Sequence, residues 1–143
     1  MIRAIEHIGI AVRSIEEARP FYESLGLAIE RIEEVPGEGV RVAFVPCGHT
    51  RFELLEPTRP DSPIAKFLER RGPGVHHVCL ESDAIGDDDT RLRRCGMELL
   101  RTEPTIGAGG ARVQFIHPKS SGGILMEISE PAAHPEPAEE RAQ

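Results

Sequence analysis

Hydrophobic and polar positions alternate along the chain in two successive blocks, and the first block predicts the order βαβββ. Residues 5–12 predict a strand. A helix follows, because Ser14 and Glu17 form an S-x-x-E capping box. Apolar side chains then recur at helical spacing up to Leu25, and Gly26 is typical of a helix end. Three more strands are predicted at residues 27–34, 40–46 and 51–56.

The second block repeats this order. Residues 77–82 predict a strand, and residues 84–95 predict a helix whose early aspartates suit the helix dipole. Further strands are predicted near residues 97–102, 112–117 and 123–129. Between the blocks, residues 63–71 predict a short helix that ends at a Gly-Pro-Gly sequence.

The two blocks also correspond at the positions that carry chemistry. Nineteen residues separate the histidine that begins each block's first strand, His7 or His77, from the glycine after its helix. The motif E-x-x-E-P closes each block and begins at Glu53 and at Glu127. An internal repeat therefore superposes His7 on His77 and Glu53 on Glu127.

This set of two histidines and two glutamates predicts a site for one divalent metal ion. A lone strand histidine is more often structural, and a lone strand glutamate usually faces solvent. Both glutamates, however, stand in apolar strands, where a carboxylate needs a partner or a metal. If the strands are neighbours, a pseudo-twofold axis brings His7, Glu53, His77 and Glu127 together. Two imidazole nitrogens and two carboxylate oxygens suit Zn²⁺, Co²⁺, Ni²⁺, Mn²⁺ or Fe²⁺.

His76 competes with His77 for the position of metal ligand. Strand alternation predicts that these two side chains point to opposite faces of the sheet. The repeat favours His77, because the run of residues after it matches the run after His7.

Composition narrows the classes of partner. The formal charge of −7 and the absence of tryptophan argue against a nucleic-acid partner. No apolar run approaches the length of a membrane span, and three cysteines without a C-x-x-C pair are typical of a reduced, cytoplasmic chain. The expected organisation is one domain at 1–131, with modules at about 3–57 and 75–130, a linker at 58–74 and a disordered tail at 132–143.

These features resemble the vicinal oxygen chelate, or glyoxalase-fold, superfamily, an α+β fold of two tandem βαβββ modules. Within that superfamily the chain most resembles the methylmalonyl-CoA epimerase family, over residues 3–130. The stretches that carry the resemblance are HIGIAV from His7, FELLEP from Phe52, SPIAKFL from Ser62, GVHHV from Gly74 and HPKSSGGILME from His117. The last of these stretches is the most specific.

The resemblance implies interconversion of (2R)- and (2S)-methylmalonyl-CoA through a metal-stabilised enolate. It implies an acyl-CoA substrate, a homodimer and one Co²⁺, Zn²⁺, Mn²⁺ or Ni²⁺ ion per chain. Glu127 and Glu53 are the candidate bases, because inversion requires a proton to leave one face and return to the other. In the alternative, both only bind the metal. Some family members carry a further glutamate in the second strand, where this chain has Val42, so one base stays open.

The turn that begins at His117 holds further candidates for substrate binding. Lys119 and Ser120 could meet the acyl or phosphate part of CoA, and His117 could line the pocket. A solvated turn is the alternative. Two other functions are also compatible with the superfamily, namely a glyoxalase I-type lactoylglutathione lyase and a non-catalytic module that binds small ligands.

Overall fold

A computed structural model describes residues 1–133 of the chain. Within them, the strands are β1 (Ile2–Ala11), β2 (Arg31–Val35), β3 (Val40–Cys47), β4 (Thr50–Pro57), β5 (Gly74–Ser82), β6 (Thr105–Ile106), β7 (Arg112–Ile116) and β8 (Met126–Glu130). The α-helices are α1 (Ile15–Ser24), α2 (Pro63–Arg71) and α3 (Ile85–Arg94). Most of the tail predicted at 132–143 lies outside the described residues. None of the helices in the described part is long and apolar enough to cross a bilayer.

All of these strands form one mixed sheet in the order β2-β3-β4-β1-β5-β8-β7-β6. The first strands of the two modules, β1 and β5, pair antiparallel at its centre, and each pairs in parallel with the last strand of its own module, β4 or β8. Each module therefore has the predicted order βαβββ, and the predicted α+β fold is confirmed.

The pairing of β1 with β5 follows the repeat of the sequence. His7 lies opposite Cys79, and Gly9 lies opposite His77. The two pairs are images of each other, because each residue of β1 corresponds to the residue seventy positions later in β5. The two histidines therefore face each other across the axis that relates the modules.

The helix of each module determines which way the glutamates point. Leu54 of β4 lies in the core cluster beneath α1, and Ile128 of β8 lies in the cluster beneath α3. Successive side chains of a strand point to opposite faces of the sheet. Glu53 and Glu127 come directly before these core residues, so they face the side of the sheet that is away from α1 and α3.

Local sequence signals account for the helix limits. The Ser14 hydroxyl accepts a hydrogen bond of 3.3 Å from the backbone N–H of Glu17, as the capping box predicts. The Ser62 hydroxyl caps α2 in the same way, with a distance of 3.0 Å to the N–H of Ala65. The bounds of α2 are those that the sequence predicts.

The strand predicted near residues 97–102 is wrong. That segment makes one isolated bridge, between Leu99 and Ile116, and the paired strand lies further on at β6. Two backbone hydrogen bonds accompany this bridge, but side chains bond to the next backbone group, since Arg93 and Gln114 both donate to the carbonyl of Arg101, at 2.7 and 3.1 Å. These bonds occupy the Arg101 carbonyl, which in a regular strand would accept a backbone N–H of the neighbouring strand.

The buried carboxylate of Asp88 at the start of α3 is expected to stabilise the fold. Asp88 is fully buried, and the Ser82 hydroxyl donates to it at 2.5 Å. Burial raises the pKa of Asp88, but Ser82 and Arg91 outweigh burial, and the pKa lies below its usual value. We expect Asp88→Asn to lower the free energy of unfolding by about 1.5–3 kcal/mol at neutral pH, the range for a hydrogen bond to a charged group.

Since the pKa of Asp88 is lowered by folding, this stabilisation is present above the unfolded-state pKa of ~3.9. It is lost as the pH falls through the lower pKa of the folded state. Urea unfolding at several pH values measures the effect, and Asp87→Asn, at an exposed position of the same helix turn, is the control. Equal unfolding free energies for the two variants at neutral pH would contradict the prediction.

Candidate metal centre and active site

The four residues predicted as metal ligands lie together on the face of the sheet that is opposite α1 and α3, where α2 also packs. Their exposed fractions are 5% for His7, 6% for Glu53, 6% for His77 and 8% for Glu127. The central strands β1 and β5 carry the histidines, and the flanking strands β4 and β8 carry the glutamates. Burial of four ionisable side chains is costly unless they bind one another or a metal.

Three of these side chains present donor atoms to one point. The Nε2 atoms of His7 and His77 are 2.9 Å apart. A carboxylate oxygen of Glu127 is 3.0 Å from Nε2 of His77 and 3.3 Å from Nε2 of His7. Ligands that share an ion with bonds of ~2.1 Å lie about 3 Å apart, so these three atoms fit a divalent metal. Imidazole nitrogens and a carboxylate oxygen are also suitable donors for such an ion.

Glu53 lies on the other side of His7. Its carboxylate is 2.9 Å from Nδ1 of His7, the ring nitrogen that faces away from His77. Arg51 pairs with the same carboxylate at 2.7 Å. The structure therefore brings three of the four candidates to one point, and the role of Glu53 as a fourth ligand stays a prediction.

The prediction that His76 and His77 point to opposite faces is wrong. The pairing of β5 with β1 passes from His77 to Val75 and leaves His76 unpaired, as in a β-bulge. A bulge interrupts the alternation of the strand, and the two Nδ1 atoms lie 2.9 Å apart. The edge of the Phe67 ring also packs against His76, with 5.0 Å between the ring centroids.

Burial and charge set the protonation of the site. Burial alone raises the pKa of Glu127, but its bonds to His7 and His77 outweigh burial and lower that pKa to about 2. Burial lowers the pKa of His7, but Cys79 and the surrounding carboxylates outweigh burial and raise it far above its usual value. Burial, helped by the charge of His77, lowers the pKa of His76 to about 4.

Two cavities border this cluster, and both reach Glu53 and Glu127. The first has a volume of about 450 Å³ and mostly apolar walls. These walls include Val42, Leu55, Ile64, His76, Phe115 and Leu125. The second cavity, of about 430 Å³, includes the charged residues Glu6, Arg31 and Arg51. A ligand in either cavity would therefore contact the carboxylates of the cluster.

The chain matches known proteins along most of its length. The family model of the glyoxalase/bleomycin resistance protein/dioxygenase superfamily matches residues 6–115. The mitochondrial methylmalonyl-CoA epimerase of Homo sapiens is 41% identical over 128 residues, which cover 88% of this chain and 73% of the human protein. The ethylmalonyl-CoA/methylmalonyl-CoA epimerase of Cereibacter sphaeroides is 39% identical over 133 residues, 91% of this chain and 99% of that protein. The chain belongs to the methylmalonyl-CoA epimerase family of this superfamily.

A solved structure of the same family agrees in fold. It is a variant of the Streptomyces coelicolor methylmalonyl-CoA epimerase in complex with 2-nitronate-propionyl-CoA. Its TM-score to this chain is 0.89 at 34% identity, and the match covers 96% of this chain and all of that one. The resemblance to the methylmalonyl-CoA epimerase family that the sequence predicts is therefore confirmed, and so is the glyoxalase fold.

The candidates for substrate binding in the turn after β7 bond to one another and to Glu98. Nδ1 of His117 accepts from the N–H of Lys119 at 3.1 Å, and the Ser120 hydroxyl accepts from the N–H of Glu98 at 2.9 Å. The ammonium of Lys119 pairs with the carboxylate of Glu98. Other described residues line the two cavities beside the cluster. A role for His117, Lys119 and Ser120 in substrate binding stays a prediction for this member of the epimerase family.

Sequence reasoning missed two residues that contact the candidate metal ligands. Gly9 lies directly under the ring of His77, where any side chain would collide with it. Glu6 contacts Nδ1 of His7 and pairs with Arg51. Their closeness to His7 in the sequence could have pointed to them, because Glu6 directly precedes His7 and Gly9 follows it by two residues.

Proposed function

We propose that this chain interconverts (2R)- and (2S)-methylmalonyl-CoA and uses one divalent metal ion held by His7, Glu53, His77 and Glu127. The main support is the buried group of two Nε2 atoms and one carboxylate oxygen beside an apolar cavity, in a member of the methylmalonyl-CoA epimerase family. The donor set is compatible with Co²⁺, Zn²⁺, Mn²⁺ or Ni²⁺. When bound, the ion supplies the Lewis acidity that stabilises an enolate at a thioester carbonyl.

The protein must move a proton from one face of the substrate carbon to the other. Glu127 is the first candidate for this role, because its carboxylate borders both cavities. A carboxylate is a weak base, so the transfer depends on a substrate C–H that lies between two carbonyl groups and is made more acidic at the site.

Glu53 is the second candidate, since the repeat places it on the opposite flank of the cluster. The two carboxylates lie on β4 and β8, which flank β1 and β5, so they could contact opposite faces of one substrate carbon. The Arg51 guanidinium holds the Glu53 carboxylate at 2.7 Å, so this carboxylate is less free to turn toward a substrate. Val42, in the wall of the apolar cavity, has no group that could move a proton.

Exchange of the α-proton of methylmalonyl-CoA in D₂O tests the proposed activity. We expect the metal-loaded protein to exchange this proton and to equilibrate the two epimers, as followed by NMR and mass spectrometry. A chelator should abolish the exchange, and Co²⁺ or Zn²⁺ should restore it. Exchange that survives full removal of metal would overturn the metal-dependent mechanism.

Incubation with each candidate substrate in turn separates the two other functions of the superfamily. Turnover of the hemithioacetal of methylglyoxal and glutathione, with no exchange of methylmalonyl-CoA, would assign the chain to the glyoxalase I type. If the protein binds one of these two compounds saturably but turns over neither, the chain belongs with the ligand-binding modules.

We also propose that the protein is a homodimer with a metal site in each subunit. The support is apolar surface on α1, where Phe21 and Leu25 lie one helical turn apart and are more than half exposed. Sedimentation at micromolar concentration is expected to give the mass of two chains. A monomer under these conditions would remove this proposal, and Phe21→Ser should shift the equilibrium toward the monomer.

A further inference from the structure

The residue before each candidate metal histidine occupies a β-bulge. The pairing of β1 with β5 shifts between Ile5 and His7, at Glu6, and again opposite His76. Glu6 and His76 are equivalent in the repeat, because seventy residues separate them. A bulge breaks the alternation of a strand, so each of these side chains can reach the histidine that follows it.

Both side chains contact the same atom of their neighbour. A carboxylate oxygen of Glu6 contacts Nδ1 of His7, and Nδ1 of His76 lies 2.9 Å from Nδ1 of His77. The Nε2 atoms of His7 and His77 face the cluster and are 2.9 Å apart. Each ring is therefore held at its outer nitrogen and presents its inner nitrogen to the candidate metal position.

The chemistry of imidazole gives this arrangement a function. A neutral imidazole carries one N–H and one lone pair, and a metal binds the nitrogen with the lone pair. Binding through Nε2 therefore requires a proton on Nδ1, and an acceptor beside Nδ1 fixes that tautomer and the orientation of the ring.

We propose that Glu6 and His76 are a pair of positioning residues for the metal ligands. Each accepts the Nδ1–H of the histidine that follows it, and each holds Nε2 toward the ion. This inference rests on the metal site of the proposed function. It also requires that His76, which accepts through Nδ1, carries its own proton on Nε2.

The two acceptors differ in whether another side chain lies close enough to take over the hydrogen bond. A second carboxylate, that of Glu53, lies 2.9 Å from Nδ1 of His7 and can act when Glu6 is removed. Among the described residues, His76 is the hydrogen-bond partner of Nδ1 of His77. Substitution of His76 is therefore the sharper test.

The Zn²⁺ affinity of the full chain, measured by competition with a chelating dye, provides that test. We expect His76→Leu, which fills the space without an acceptor, to weaken the affinity by about 10–100-fold. His76→Asn should restore the affinity to within a few-fold, because its amide oxygen can stand where Nδ1 stood. His49→Leu makes the same chemical change at an exposed turn and should leave the affinity unchanged.

A loss of packing alone would predict a different pattern, since both His76 variants would then bind Zn²⁺ equally weakly. ¹⁵N NMR of the Zn²⁺-loaded parent protein gives an independent readout. The proton of His76 is expected on Nε2, and that of His77 on Nδ1.

The opposite tautomer of His76, an unchanged affinity in His76→Leu or a failure of His76→Asn to recover would each overturn the inference. Failure of the parent chain to bind any of Co²⁺, Zn²⁺, Mn²⁺ and Ni²⁺ would overturn both this inference and the metal-dependent function. A parent chain that binds Zn²⁺ as expected but does not exchange methylmalonyl-CoA would overturn the proposed activity alone.

Discussion

Gly9→Ala is expected to move His77 out of the metal cluster and to weaken Zn²⁺ binding strongly. A Cβ atom on Gly9 would lie 2.2 Å from Cε1 and 2.5 Å from Nδ1 of His77, so the two cannot coexist. The ring must move, because its backbone is held in the pairing of β1 with β5. Loss of a group that only holds a metal ligand typically weakens metal affinity by ~10–100-fold. In Gly9→Ala the ligand itself is displaced, so the Zn²⁺ affinity should fall by at least this factor.

Gly86→Ala is the matched control for this prediction. A Cβ atom at Gly86 meets open space in the first turn of α3, so Zn²⁺ affinity should not change. Competition with a chelating dye measures the affinity of both variants, and urea unfolding shows whether Gly9→Ala keeps its fold. A well-folded Gly9→Ala protein with parental Zn²⁺ affinity would show that His77 is not a ligand.

The repeat made the main parts of the site predictable. Alternation in apolar strands, the capping box at Ser14, the Gly-Pro-Gly sequence after residue 71 and the early aspartates of α3 are local signals, and they locate the helices and most of the strands. The superposition of His7 on His77 then selects the histidine whose Nε2 faces that of His7, although His76 stands beside it. Pairing of β1 with β5 brings the two selected rings together.

The bulges at Glu6 and His76 could not be predicted in the same way. A bulge forms where one strand of a pair has one more residue than its partner between two paired positions. The sequence of one strand does not show how it pairs with the other, so the bulge cannot be read from it. The position of Gly9 under the ring of His77 has the same origin, because the contact joins two modules that are distant in sequence.

The wrong strand at residues 97–102 has a different cause. The segment is apolar enough to predict a strand, yet the carbonyl of Arg101 bonds to the side chains of Arg93 and Gln114. Competition of this kind between side chains and the backbone ladder depends on residues of α3 and β7, so the pattern of the segment alone does not reveal it.

The repeat also predicts more symmetry than the site has. Arg51 lies two residues before Glu53, whereas Leu125 lies two residues before Glu127. Arg51 holds the Glu53 carboxylate at 2.7 Å, while the partners of Glu127 are the two histidines. The two superposed glutamates therefore have different environments, and we expect them to differ in function.

This difference leads to the expectation that Glu127→Gln abolishes most of the catalysis and keeps much of the metal. The amide oxygen can still coordinate an ion, though more weakly than a carboxylate, but the amide cannot accept a proton. Loss of a general base typically costs ~10²–10⁴-fold in rate, so α-proton exchange of methylmalonyl-CoA in D₂O should fall by that factor. Substrate affinity should change much less, because the substrate oxygens still meet the metal.

Glu53→Gln is the matched variant, since it makes the same change at the superposed position. We expect a milder loss of exchange, because the Arg51 guanidinium already holds the Glu53 carboxylate and a neutral oxygen ligand can serve at that position if Glu53 only coordinates. Both variants are compared with excess Co²⁺ or Zn²⁺ and with metal content measured in each sample, so that loss of metal is not mistaken for loss of the base. If metal-loaded Glu127→Gln exchanges the proton at nearly the parental rate, Glu127 is a ligand only. The base is then Glu53 or a water molecule that the site positions.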